Sequence, residues 1–177
     1  MGVKHVFGVA DGSNAITLAL IASGIQPGDE VILPSHTFIA TPSAIHWTGA
    51  VPILVDCGPD KMIDPATIEA AITPKTRAVM PVQLNGRTAN MEAVEKICRK
   101  HNLLIVEDAA QALGSRFKGR AAGTFGSAGT ISFYPAKLLG CFGDGGAIVT
   151  NDDKVAAQVY MLRDHGRDPE GRTRRWG

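Results

Sequence analysis

Short runs of β-branched residues alternate along the chain with longer segments in which apolar residues recur every three or four positions. The first pattern predicts strands and the second predicts helices. Strands are expected over Val3–Val9, Glu30–Pro34, Val51–Asp56, Ala78–Val82, Leu103–Glu107, Thr130–Phe133 and Gly146–Thr150. Helices are expected over Asn14–Ser23 with Gly24 closing it, over Thr41–Thr48 with Pro42 in the first turn, and from Asp64-Pro65 to Ala71. Two more are expected over Asn90–His101 and Asp152–Arg163. Asp64 is a good cap and Pro65 suits the first helical position. Strands separated by helices require crossover connections. The expected fold is therefore α/β, a mostly parallel central sheet flanked by helices on both faces.

A core strand opening almost at the first residue has no covering element before it. The last residues, Arg174-Arg175-Trp176-Gly177, read as a loop. The expectation is a piece of a longer protein. Its 177 residues suffice for one sizeable core. A formal net charge of +1 gives no reason to expect a nucleic-acid partner. The basic stretch from Arg163 to Arg175 is interrupted by Asp164, Asp168 and Glu170, and reads as a solvated loop. Cys57, Cys98 and Cys141 are odd in number and show no CxxC spacing. That usage fits a reducing, cytoplasmic setting and argues against a disulfide framework or a zinc site. No apolar run approaches the length of a membrane span, and no signal leader follows Met1.

Candidate chemistry falls at the predicted strand ends, where open α/β sheets bind their ligands. Asp11-Gly12-Ser13-Asn14 follows the first strand and starts a helix. Backbone N–H groups, a hydroxyl and a positive helix end meet there, which suits a phosphate. Taken alone, the same residues are a plain helix cap, and they form neither a P-loop nor a GxGxxG turn. Phe38, in Ser35-His36-Thr37-Phe38, is placed either to lie against a planar ring or to pack in the core. Asp108, in Val106-Glu107-Asp108-Ala109-Ala110-Gln111, closes a buried strand, where a carboxylate is costly without a cation. Glu107 is expected to point to the other face. Lys137 lies among apolar and aromatic neighbours in Ser132-Phe133-Tyr134-Pro135-Ala136-Lys137-Leu138-Leu139. Such a setting would desolvate the amine and make it a nucleophile toward aldehydes, unless the side chain snorkels to water. In combination these groups offer an anion cradle, an aromatic face, a carboxylate and a lysine, which is the set pyridoxal 5′-phosphate requires.

The chain resembles the DegT/DnrJ family of fold-type I enzymes dependent on pyridoxal phosphate, which includes nucleotide-sugar aminotransferases. The matching stretches are Gly8–Ala15, Gly28–Thr41, Met80–Gly86, Val106–Ala112, Gly123–Gly126, Ser132–Lys137, Gly143–Ala147 and Leu162–Gly166. The resemblance implies part of the large cofactor-binding domain over residues 1–177, with a first segment and a smaller C-terminal domain absent. It implies that Lys137 binds the cofactor aldehyde as a Schiff base and that Asp108 faces the pyridine nitrogen. Gln111 would sit near the 3-hydroxyl and Phe38 would stack on the ring. Gly12, Ser13, Asn14 and Ser132 would hold the phosphate. Where the family often has threonine followed by aspartate or alanine, this chain has Ser13-Asn14. The implied reaction moves an amino group from an amino acid, usually glutamate, to a nucleotide-linked keto sugar, in a homodimer with a shared active site. Two alternatives within the family are a sugar dehydratase, whose lysine is replaced by histidine, and a catalytically silent regulatory homologue. A nucleotide-binding α/β domain without enzymic chemistry is the reading outside it. His36, Asn85 and Arg87 are open candidates for substrate contact or loop structure.

Overall fold

The computed structural model describes residues 1–177. Seven strands form one sheet: β1 (His5–Val9), β2 (Glu30–Pro34), β3 (Val51–Val55), β4 (Thr76–Val79), β5 (Leu104–Asp108), β8 (Ala128–Ser132) and β9 (Gly146–Thr150). Their spatial order is β1-β9-β8-β5-β4-β2-β3, and every pairing is parallel except the two made by β9. The helices are α1 (Gly12–Ala22), α2 (Ala40–Trp47), α3 (Pro65–Ile68), α4 (Met91–His101) and α5 (Asp153–Leu162). This is the α/β architecture that the pattern predicts.

Period-two alternation in the central strands assigns the two faces. Val31 and Leu33 of β2, Ala78 of β4 and Val106 of β5 pack with Ala15, Ile16, Ala19 and Leu20 of α1 and with Ala44 and Ile45 of α2. Ile32, Val79 and Ile105 point the other way, onto Ile68 of α3 and Met91, Val94 and Cys98 of α4. Burying each large aliphatic side chain contributes about 1.5–3 kcal/mol. The helix boundaries are local. Asp11, Asp64, Asn90 and Asp152 each accept a backbone N–H from the first turn of the helix they precede. Asn102 ends α4 in a left-handed conformation (φ 53°), behind Arg99, Lys100 and His101 in the last turn.

Several boundaries differ from expectation. Strand β4 begins two residues before Ala78 and stops at Val79, because Pro81 has no N–H to give a ladder. Strand β8 begins at Ala128-Gly129, residues too small to look like strand in sequence. The helix after Asp64 tightens to a 3₁₀ turn over Glu69–Ala71. A two-residue hairpin, β6 (Arg116–Phe117) with β7 (Arg120–Ala121), is too short to leave a periodic signal. Strand β1 starts at His5 and lies at the sheet edge with Val6 exposed, so it is not the core strand expected.

Candidate active site

The carboxyl ends of the parallel strands open on one cavity of about 620 Å³. That is within the size range of sites for small organic ligands. All eight residues singled out from the sequence line it: Gly12, Ser13, Asn14, Phe38, Asp108, Gln111, Ser132 and Lys137. Their segments are far apart in sequence. The crossovers bring together the start of α1, the loop after β2, the end of β5 and the turn after β8.

The first wall is built by close approach. A methyl group placed on Gly12 would lie 2.9 Å from Ser132 Cβ and 3.1 Å from its Oγ. One placed on Gly146 would lie 2.3 Å from the Asp11 carbonyl oxygen. Glycine at both positions lets the first turn of α1 sit directly against the ends of β8 and β9. The Ser132 hydroxyl therefore stands beside the N-terminal N–H groups of α1, where an anion is favoured. Asn14 lines the cavity beside these groups and is also bonded to the helix cap. Its backbone N–H donates to Asp11 Oδ1 at 2.7 Å and its amide nitrogen donates to Asp11 Oδ2 at 2.6 Å. Asn14 thus completes the helix cap at the edge of the cavity wall that it shares with Gly12, Ser13 and Ser132.

Asp108 follows Val106 by two residues, so the alternation of β5 turns it to the α1–α2 face and into the cavity. It forms no ion pair. Its Oδ2 accepts the Thr41 hydroxyl at 2.7 Å and its Oδ1 accepts the Ala110 N–H at 3.1 Å. Burial pushes its pKa above the usual carboxylate range, while Thr41, Ala110 and the charge of Lys137 draw it back. The cation that the sequence demands for this carboxylate is thus present only at a distance, and a hydroxyl and an amide make the contacts.

Glu107 points to the opposite face, as expected, and is wholly buried there. It accepts the Phe125 N–H at 2.6 Å, the Gln83 amide at 2.8 Å and the Gly123 N–H at 2.9 Å. Burial pushes its pKa up and these three donors pull it down. All three partners donate, so the geometry fits the ionised form. Gln83 also accepts the Ala89 N–H at 2.7 Å and reaches the cavity wall. Glu107 thereby ties the 121–126 loop and Gln83 beneath the site, a role invisible in sequence.

Lys137 sits in the turn after β8, its N–H bonded to the Tyr134 carbonyl at 2.8 Å. Of the two readings of its apolar neighbours, a desolvated amine or one that reaches water, the exposure of the segment fits the second. Lys137 is half-buried, and Leu138, Leu139 and Phe142 are exposed. Proximity to Asp108 across the cavity marks it out instead. Phe38 is 67% exposed on the cavity rim, which removes the core-packing alternative. Gln111 lines the wall with its Oε1 3.4 Å from the Asn85 N–H. His36, Asn85 and Arg87 are not among the lining residues, and His36 contacts the Lys61 carbonyl at 3.2 Å. Thr37, Thr41, Trp47, Gln83 and Asp144 line the cavity and were not singled out from the sequence. For Thr37 and Thr41, the i,i+4 spacing was the available signal.

Comparison with known proteins agrees with this geometry. The model of the DegT/DnrJ/EryC1/StrS aminotransferase family matches residues 1–177. A pleiotropic regulatory protein of Geobacillus stearothermophilus is 49% identical over 168 residues, 94% of this chain and 45% of that protein. A dTDP-3-amino-3,4,6-trideoxy-alpha-D-glucose transaminase of Streptomyces venezuelae is 52% identical over 163 residues, 92% of this chain and 43% of that protein. The crystal structure of S. venezuelae DesV in complex with a ketimine intermediate superposes with a TM-score of 0.95 at 48% identity, covering 99% of this chain and 47% of that one. The chain thus spans less than half the length of these relatives.

Proposed function

We propose that this chain, which belongs to the DegT/DnrJ/EryC1/StrS aminotransferase family, forms part of the cofactor-binding large domain of a pyridoxal phosphate-dependent nucleotide-sugar aminotransferase. The single observation that carries the reading is the convergence of Lys137, Asp108 and the Gly12–Ser132 cradle on one cavity. The residues present fit the cofactor. The absence of a side chain on Gly12 lets the start of α1 lie against Ser132 with its backbone donors open to a phosphate, Phe38 offers a free aromatic face, and an acid and an amine line the same cavity.

When bound, pyridoxal phosphate supplies an aldehyde that captures amines and a ring that withdraws electrons from the amine-bearing carbon. The Gly12 and Ser13 N–H groups and the Ser132 hydroxyl hold the phosphate. Phe38 covers one ring face and keeps water from it. Gln111 orients the 3-hydroxyl. Asp108, ionised, holds a proton on the ring nitrogen, which is the electrostatic task for which a buried carboxylate is suited. Lys137 would hold the cofactor through its Nζ at the aldehyde, and its free amine would be the group that removes and returns the proton at the amine-bearing carbon of the substrate.

The amino donor is an amino acid, glutamate by family resemblance, and the acceptor is a keto sugar carried on a nucleotide, as the name of the S. venezuelae relative supports. The product class places the enzyme in the supply of amino sugars for polysaccharides or glycosylated metabolites. A second copy of the chain covers exposed apolar residues, of which Trp47 on the cavity wall is 65% exposed, and Leu138 and Phe142, in the segment that follows Lys137, are 86% and fully exposed. Three free cysteines, and no helix long and apolar enough to cross a membrane, accord with a cytoplasmic enzyme. The regulatory name of the Geobacillus relative supports a second reading, a member that binds the cofactor without turnover. Lys137 itself argues against the dehydratase alternative.

The test is addition of pyridoxal phosphate to the protein made from its complete reading frame. A yellow colour should form; borohydride should bleach it and fix the cofactor on Lys137 as a stable secondary amine, located by peptide mass. In a separate, unreduced sample glutamate should bleach the colour, and a nucleotide keto sugar should restore it while the sugar gains one amino group. No adduct in the wild type, or an adduct that survives Lys137→Ala, refutes the cofactor reading. An adduct without turnover on any keto sugar supports the regulatory one.

A further inference from the structure

Thr41 is 1% exposed and lies in the first turn of α2, its backbone N–H bonded to the Phe38 carbonyl at 3.0 Å and its side chain turned to Asp108. Its hydroxyl donates to Asp108 Oδ2 at 2.7 Å. Thr37, one turn earlier and on the cavity wall, places its own hydroxyl 2.7 Å from that of Thr41. A hydroxyl has one proton. Thr41 spends its proton on the carboxylate, so the proton between the two threonines must come from Thr37. The result is a one-way relay, Thr37 O–H to Thr41 O, then Thr41 O–H to Asp108 Oδ2. Each donation polarises the next. The first turn of α2 adds the positive end of a helix beside the same carboxylate.

We propose that Thr41, oriented by Thr37, is a positioning residue that fixes the Asp108 carboxylate in its ionised form so that it can hold a proton on the cofactor ring nitrogen; this rests on the cofactor reading above. A buried carboxylate with no contacting cation has two ways to be satisfied. It can take up a proton, which would end its usefulness to a pyridinium, or it can receive charge-assisted hydrogen bonds. The Thr41 hydroxyl on Oδ2 and the Ala110 N–H on Oδ1 give each carboxylate oxygen a donor, the arrangement that favours the anion over the acid. The other ionisable groups on the cavity wall are Lys137, Asp11, Asp144 and Tyr134, and Glu107 lies on the far face of β5. Of these, Lys137 acts on Asp108, and in the same sense as Thr41.

Thr41→Val removes the hydroxyl at nearly constant shape, and Thr41→Ser keeps it. Both are made in the protein from the complete reading frame, with and without Asp108→Asn. The first readout needs no cofactor: the melting temperature against pH. Loss of the hydroxyl should make Asp108 retain its proton to higher pH in the folded state, so the deficit of Thr41→Val relative to Thr41→Ser should widen as pH rises. In the Asp108→Asn background the deficit should be independent of pH. The second readout is pyridoxal phosphate affinity, expected to fall about tenfold or more in Thr41→Val and to remain near wild type in Thr41→Ser. A ¹⁵N-labelled cofactor should show the ring nitrogen losing its proton at lower pH in Thr41→Val. A pH-independent deficit, or unchanged affinity and nitrogen protonation, overturns the relay even if the wild type binds the cofactor well. A wild type that forms no Lys137 adduct removes the cofactor reading, and with it the stated purpose of the relay, whatever the melting curves show.

Discussion

Gly12→Ala tests the cradle at its narrowest point. The added methyl would sit 2.9 Å from Ser132 Cβ, against about 3.5–4.0 Å for comfortable carbon contact. Relief by rotation is closed off, because Ser132 Cβ is fixed to the backbone of β8, paired there with Gly146 of β9. Either α1 or the end of β8 must move by about half an ångström or more. Such overpacking costs about 1–3 kcal/mol. Gly12 has no left-handed backbone to lose, so alanine recovers about 0.4–1 kcal/mol through the unfolded chain. The net expectation is a loss of about 1 kcal/mol, seen as a fall of about 2–4 °C in melting temperature. The functional loss should be larger, because the displaced groups are the anion donors. Affinity for pyridoxal phosphate, followed by absorbance, should fall more than about tenfold, as expected when hydrogen bonds to a charged group are lost. Gly8→Ala, which meets nothing within 4 Å, is the control and should leave affinity unchanged. If Gly12→Ala keeps wild-type cofactor affinity, the phosphate does not lie between α1 and Ser132, and the assignment of the whole cavity falls with it.

Other outcomes follow from the buried carboxylate and the cysteines. Asp108→Asn should abolish turnover while the cofactor still binds. Without cofactor it should show a characteristic pH dependence. Burial raises the folded-state pKa of Asp108, so between its ordinary pKa and that raised value the folded state binds more protons than the unfolded, and wild-type stability falls as pH rises. Melting curves should show the stability of Asp108→Asn relative to wild type rising with pH above the ordinary carboxylate range, and a relative stability that falls with rising pH would contradict the sign. Cys98 is buried and its thiol is pushed up to about 12 by burial and then by Glu95, whereas Cys141 is exposed. A thiol reagent at pH 8 should modify Cys141 promptly and Cys98 only after unfolding, and rapid labelling of Cys98 in the native protein would show that α4 does not pack as described.

The sequence by itself determined the order and kind of the main elements, because hydrophobic period and capping residues are local. Glu30–Pro34 and Gly146–Thr150 were legible to the residue, and Asp64, Asn90 and Asp152 announced their helices. It also supplied eight of the residues that line the cavity, since a lysine, a strand-ending acid and a helix-starting Gly-Ser are chemically conspicuous. Where function depends on what a group touches, the sequence fell short. Asn14 looked like an anion ligand, and the bonds that fix it to the cap residue Asp11 were not visible. Lys137 looked desolvated by its neighbours, but those neighbours face solvent. Thr41 looked like any helix residue, yet it holds the central carboxylate across 67 residues of chain. Adjacent Glu107 and Asp108 acquire opposite tasks, one anchoring a loop and one facing the cavity. Only the crossover of a parallel sheet puts α2 over one of its faces and the 121–126 loop over the other, because side-chain direction is set locally while the partner it meets is set by topology.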